Sequence, residues 1–249
     1  MTHSTPFRAL ALAVTFAAGM GLAGAHAQVY VLESTTSAVK SGSAYKASDH
    51  IAIPPDGSIR AIMPSGKTQT LRGPYSGPAS GLVQGHNPNQ GVMAWLQNLL
   101  RTGGSREQTP GATRSFKPGE APVMFSWTAI PATTDGAFCV GRNAKLELRR
   151  VASPRVERLI VVNAATAERG EVEFAAGSTT TAWPASVKLL PDATYSVVGG
   201  ASGQRRQITL RILDKLPGEE DMVAELASRE CSYQLDAWVR EKTTAGKKG

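Results

Sequence analysis

Residues 58–72 read Ser58-Ile59-Arg60-Ala61-Ile62-Met63-Pro64-Ser65-Gly66-Lys67-Thr68-Gln69-Thr70-Leu71-Arg72, and the choice between two readings of them decides the fold. Ala61 to Thr68 fits the relaxed form of a nucleotide-binding loop, with Ala in place of the first Gly and Lys67-Thr68 closing the motif. A phosphate cradle needs a helix directly after that Lys-Thr pair, because the free N–H groups and dipole of its first turn hold the anion. Thr68 to Arg72 reads instead as a strand, stopped by Gly73-Pro74. The segment is therefore strand, tight turn, strand. The same signature stands one step upstream, where Ile51-Ala52-Ile53 runs into Pro54-Pro55-Asp56-Gly57. Pro presets φ for the second position of a turn and Gly supplies φ > 0 at its close. Two such turns ten residues apart predict an antiparallel meander, begun by Val29-Tyr30-Val31-Leu32.

Beyond residue 74 the composition shifts to Gly, Pro, Ser, Asn and Gln, which predicts a linker over 75–120. One helix is expected inside it, at about 89–101. There Val92, Trp95, Leu96, Leu99 and Leu100 fall on one apolar stripe before Gly103-Gly104. Such a stripe either packs in the interior or presents a partner-binding face, for which Val92, Trp95, Leu96 and Leu99 are the candidates. Strand signals return over 121–241: Val123–Trp127, Phe138–Val140, Lys145–Val151, Arg158–Val162, Glu171–Phe174, Thr194–Val198 and Gln207–Leu213. Lys145-Leu146-Glu147-Leu148-Arg149 alternates leucines with charges, the pattern of strands buried on one face, as in an antiparallel sandwich. After Pro217-Gly218 a helical pattern runs to about Glu241, with a break near Ser232. The fold class is mainly β: a small antiparallel module over 28–74, a helix-containing linker, and a sandwich-like domain with a C-terminal helix or helix pair. A basic disordered tail is expected over 242–249.

The N-terminus reads as an address. After Arg8, the seventeen residues Ala9–Ala25 carry no charge, and Ala25-His26-Ala27 offers small residues at the two positions a signal peptidase accommodates. A signal peptide over 1–27, cut between Ala27 and Gln28, implies export to the periplasm or beyond. No Cys follows the cut, which excludes a lipoprotein anchor, and no later uncharged run is long enough to span a bilayer.

Two cysteines are too few for a disulfide-dense scaffold or a four-ligand zinc site. In an oxidising compartment Cys139, beside a predicted strand, and Cys231, on the inward face of the terminal helix, are expected to pair. The net charge is +7, with nine bases against four acids over 28–118 and near balance after it. A nucleic-acid partner would need a basic stripe interleaved with aromatics, which is absent. Only His50 and His86 remain after the leader, with no G-x-S-x-G and no H-E-x-x-H, so serine-hydrolase and zincin chemistry lose their signatures. No cofactor or metal is expected. Glu171 and Glu173, on one strand face, are the only carboxylate pair that a hydrolase reading would use.

Asp56-Gly57-Ser58 opening a strand, the turn Ser65-Gly66-Lys67 and the closing Thr70-Leu71-Arg72-Gly73-Pro74 give the 28–74 stretch its signature. With these it resembles the FecR-like β domain of bacterial envelope proteins. The resemblance implies a non-catalytic periplasmic module that works through protein contacts. The sensors of that family also carry a cytoplasmic anti-sigma segment and a transmembrane helix, which have no counterpart here. The expectation is an exported non-enzymatic protein that binds another envelope protein through its β modules. A module for an anionic cell-wall polymer is the alternative, and a carboxylate-dependent hydrolase the third reading.

Overall fold

The computed structural model describes residues 27–101, 124–199 and 203–245. The expected leader up to His26, the linker from residue 102 and the last four residues of the tail lie outside the described residues. So do the side chains of Ala27, Gln28 and Leu99.

The chain is mainly β. Its first part contains β1 (Ala27–Ser34), β2 (Ala44–Lys46), β3 (His50–Ile53), β4 (Ser58–Ile62), β5 (Thr68–Arg72) and β6 (Tyr75–Pro78). An antiparallel sheet runs in the order β2-β1-β4-β5, while β3 and β6 pair as a separate ribbon. Val29, Val31, Ile51, Ile59 and Met63 fill the space between sheet and ribbon. Tyr30, Leu32 and Ile62 leave the opposite face of the sheet and pack against helices. β1 is therefore buried on both faces, which is what its unbroken apolar run Val29–Leu32 encodes.

Residues 75–83, expected to begin the linker, belong to this module instead. β6 pairs with β3, and the following 3-10 turn (Ala79–Val83) is held by Ala79 N–H to Asp49 O at 2.8 Å and Ser80 N–H to Ala47 O at 3.0 Å. Tyr75-Ser76-Gly77-Pro78 has no apolar alternation, and its partner strand lies some 25 residues back, so nothing local announces it. The expected helix is α1 (Gln90–Arg101).

The second part contains β7 (Ala129–Pro131), β8 (Gly136–Gly141), β9 (Glu147–Arg149), β10 (Glu157–Asn163) and β11 (Arg169–Phe174). β12 (Thr180–Ala182), β13 (Thr194–Gly199) and β14 (Arg205–Leu213) follow, then α2 (Met222–Ser228) and α3 (Ser232–Ala245). A five-stranded sheet, β11-β10-β13-β14-β8, faces a three-stranded one, β12-β9-β7. Phe138, Leu148, Val161, Phe174, Tyr195 and Leu210 interleave between them. The Tyr195 hydroxyl donates to Lys188 O and accepts from Leu190 N–H, both at 2.8 Å. This is the tyrosine-corner arrangement of immunoglobulin-type sandwiches.

The sandwich is antiparallel as expected except where the chain changes sheets between β7 and β8, which leaves β8 parallel to β14 and β7 parallel to β9. Two expectations need correction. Residues 124–127 are not a strand: Ser126 Oγ accepts the N–H groups of Thr128 and Ala129, bending the chain before β7. The tail begins later than 242, since α3 continues to Ala245 and Lys242 is ion-paired to Glu219.

The three helices lie between the two β parts. Val92 and Leu96 of α1, Val223 and Leu226 of α2, and Leu235 of α3 are essentially fully buried against one another and both sheets. Each contributes about 2 kcal/mol by leaving water.

Candidate functional site

The Ser65-Gly66-Lys67 turn docks onto the helices. Gly66 N–H bonds Met63 O at 2.8 Å, and Gly66 has φ +85°. A Cβ at Gly66 would stand 2.7 Å from both Ala224 Cα and Val92 Cγ2. The tip is thus wedged between α1 and α2, with no room for a phosphate. Asn89 N–H bonds Pro64 O at 3.0 Å, and Thr68 N–H bonds Glu220 O at 2.8 Å. Charges reinforce the joint: Arg60 meets Glu219 at 2.8 Å, Lys242 meets the same carboxylate, and Lys67 lies 3.7 Å from Asp221. Hydrogen bonds from Arg60 and then Lys242 stabilise the Glu219 carboxylate and lower its pKa to about 2.

This docking accounts for the helical stripe. Val92 and Leu96 are 0% exposed, so neither is available to a partner. Trp95 is half-buried, its Nε1–H donates to Asp236 Oδ1 at 3.0 Å, and its ring meets Tyr30 edge-on. Val92, Trp95 and Leu96 thus join the β parts, because both sheets need an apolar layer between them; the side chain of Leu99 lies outside the described residues.

The cysteines are brought together as expected. Cys139, in β8, and Cys231, just before α3, form a disulfide with Cα atoms 5.8 Å apart, both fully buried. One turn on, Gln234 performs a task that sequence reasoning missed. Its Oε1 accepts Cys139 N–H at 2.6 Å, while Nε2 donates to Cys139 O and Ser126 O, each at 2.7 Å. These are the two backbone groups of Cys139 that an added strand would use, so the amide closes the free edge of β8. The only legible signal was a polar residue three positions after Cys231, on the otherwise apolar inward face of the helix.

The opposite edge of the same sheet is also blunted. Thr181 Oγ1 donates to Glu173 O at 2.9 Å and Ser186 Oγ to Arg169 O at 3.1 Å, both on β11. The Glu171 and Glu173 side chains are exposed and share Arg158, at 3.6 and 2.9 Å. The hydrogen bond that Arg158 Nε donates to Glu173 raises the guanidinium above its ordinary pKa. The carboxylates form a solvated charge ladder on the sheet face.

His50 Nε2 lies 3.3 Å from Ser76 Oγ, and His86 Nδ1 lies 3.1 Å from Ser65 Oγ. The two histidines therefore stand apart from each other. Among the described residues no group of three His, Cys, Asp or Glu side chains could hold a metal. An open groove of about 670 Å³ is lined by Trp183, Val187, Leu190, Lys145 and Lys188 among others. No family model, curated protein or solved structure matches the chain.

Proposed function

We propose that the chain is an exported, non-enzymatic bacterial envelope protein that binds another protein through its β modules. The observation that carries this reading is the buried Cys139–Cys231 bridge, which ties the helix layer to the sandwich. Such bridges form and persist in oxidising compartments. The uncharged leader ending in Ala25-His26-Ala27 supports the same destination, and the FecR-like resemblance of 28–74 supports a role in protein contacts. Sheet edges are the natural docking elements, because main-chain groups there bind a partner without catalytic side chains.

Fractionated cells test the proposal. The recovered chain should begin at Gln28, lie in the periplasm or medium, and take up alkylating agent at two thiols only after reduction under denaturing conditions. A chain beginning at Met1 in the cytosol, with both thiols free, would refute export, and turnover of a substrate would refute the non-enzymatic reading.

The polymer-binding alternative draws on the Trp183 groove, whose largely apolar lining and two lysines suit a sugar ring carrying an anionic group. Cosedimentation with anionic wall polymer, weakened by salt and by Trp183→Ala, is its expected signature.

A further inference from the structure

The edges of the two larger sheets are unequally protected. Gln234 closes β8 and the Thr181 and Ser186 hydroxyls blunt β11, but among the described residues β5 is covered over only part of its length. Lys67 O accepts Met63 N–H and Gly73 N–H donates to Gly57 O, so odd-numbered residues of this strand turn towards β4. By the two-residue period, Thr68, Thr70 and Arg72 turn their backbone groups outward. The first is already taken, since Thr68 N–H bonds Glu220 O at 2.8 Å. Thr70 and Arg72 are exposed, and beyond them Gly73-Pro74 ends the strand.

The chain itself indicates the chemistry of an occupant. The segment against the first half of this edge is acidic, Glu219-Glu220-Asp221; the Glu219 carboxylate is held by Arg60 and Lys242 and that of Asp221 by Lys67. Arg60 stands opposite Thr70 in the ladder and Ser58 opposite Arg72. The cationic face therefore continues from Arg60 to Arg72, which has no ion pair among the described residues. An acidic strand laid along Thr70–Arg72 would extend the line that Glu219–Asp221 begins, gaining main-chain hydrogen bonds together with attraction to Arg72.

We propose that the free edge of β5 at Thr70–Arg72 is a strand-addition site for an acidic, extended segment of a partner protein. This rests on the protein-binding reading above and names the surface and the chemistry of its partner.

The test uses the full, disulfide-bonded chain with two fluorescein-labelled heptapeptides, one alternating Val and Glu, the other alternating Val and Lys. The acidic peptide should bind at least about tenfold more tightly than the basic one. Thr70→Pro, which removes one outward N–H, and Arg72→Glu, which keeps the backbone, should each weaken it by at least about tenfold. In the complex the amides of Thr70 and Arg72 should exchange with solvent at least about tenfold more slowly, while that of Thr68 is protected with or without peptide. The inference is overturned if neither peptide binds, if both bind alike, if both variants bind like the parent chain, or if those amides keep their rates. Export is read separately, from the N-terminus and thiol masses, so either conclusion can fail alone.

Discussion

Removing the Cys139–Cys231 bridge should lower stability by an amount that follows from its position in the chain. The cysteines are 92 residues apart. In the chain-entropy treatment, closing a loop of that length removes about 15–16 cal/mol/K from the unfolded ensemble, or about 4.6 kcal/mol at 25 °C. For a chain of this size each kcal/mol moves the melting midpoint by about 2–4 °C, so the expected fall is roughly 9–18 °C. Three samples isolate the cause: the oxidised protein, the same protein reduced, and Cys139→Ala with Cys231→Ala. Urea unfolding followed by tryptophan fluorescence suits a chain with four tryptophans. The reduced protein keeps both buried sulfur atoms, so its loss should match the loop-closure value, and the double variant should fall slightly below it. A difference under about 1 kcal/mol between oxidised and reduced protein would refute the argument, because loop closure alone predicts several times that.

Gln234→Leu should cost about 3 kcal/mol in urea unfolding, since it orphans Cys139 N–H, Cys139 O and Ser126 O beneath α3. Gly66→Ala should cost about 3 kcal/mol by the same measurement. It combines a positive φ with a Cβ pressed onto Ala224 Cα, and an unchanged midpoint would mean that the turn is not wedged between the helices. The Glu219 ion pairs should make stability pH-dependent. The folded pKa lies below the ordinary carboxylate value, so the contribution is complete above about pH 4.5 and is lost as pH falls towards about 2. With Glu219 nearly half exposed, solvent screening holds the effect to about 1 kcal/mol. Glu219→Gln should remove that part of the slope between urea midpoints at pH 7 and pH 3.

Elements whose signals are local were legible in advance. The Pro64–Lys67 hairpin turn, α1, the alternating strand around Leu148 and the break before Ser232 each depend on neighbours two to four residues away, whereas the expected pairing across the Pro54–Gly57 turn is not made, because β3 pairs with β6 and β4 with β1 and β5. The cysteine pairing was legible for another reason: with only two cysteines there is one possible intramolecular bridge. The role of Arg150 was not legible. Two positions beyond Leu148 in the expected strand, it is 4% exposed, donating to Glu157 and to the carbonyls of Ser178, Arg155 and Ala175 over the ring of Phe174. A buried guanidinium is tolerated only with its donors satisfied, and those acceptors come from loops whose approach no local pattern specifies.

By itself the sequence determined the local conformational choices. Pro and Gly set the turns, and periods of two and of about three and a half set strand and helix. Only the tertiary structure decided which backbone groups remain open. Gln234 reaches Cys139 across 95 residues and Trp95 reaches Asp236 across 141, while Glu220 meets Thr68 from the far end of the chain. Those meetings depend on how two sheets and three helices bury their apolar faces together, a property of the whole packing rather than of any window of residues.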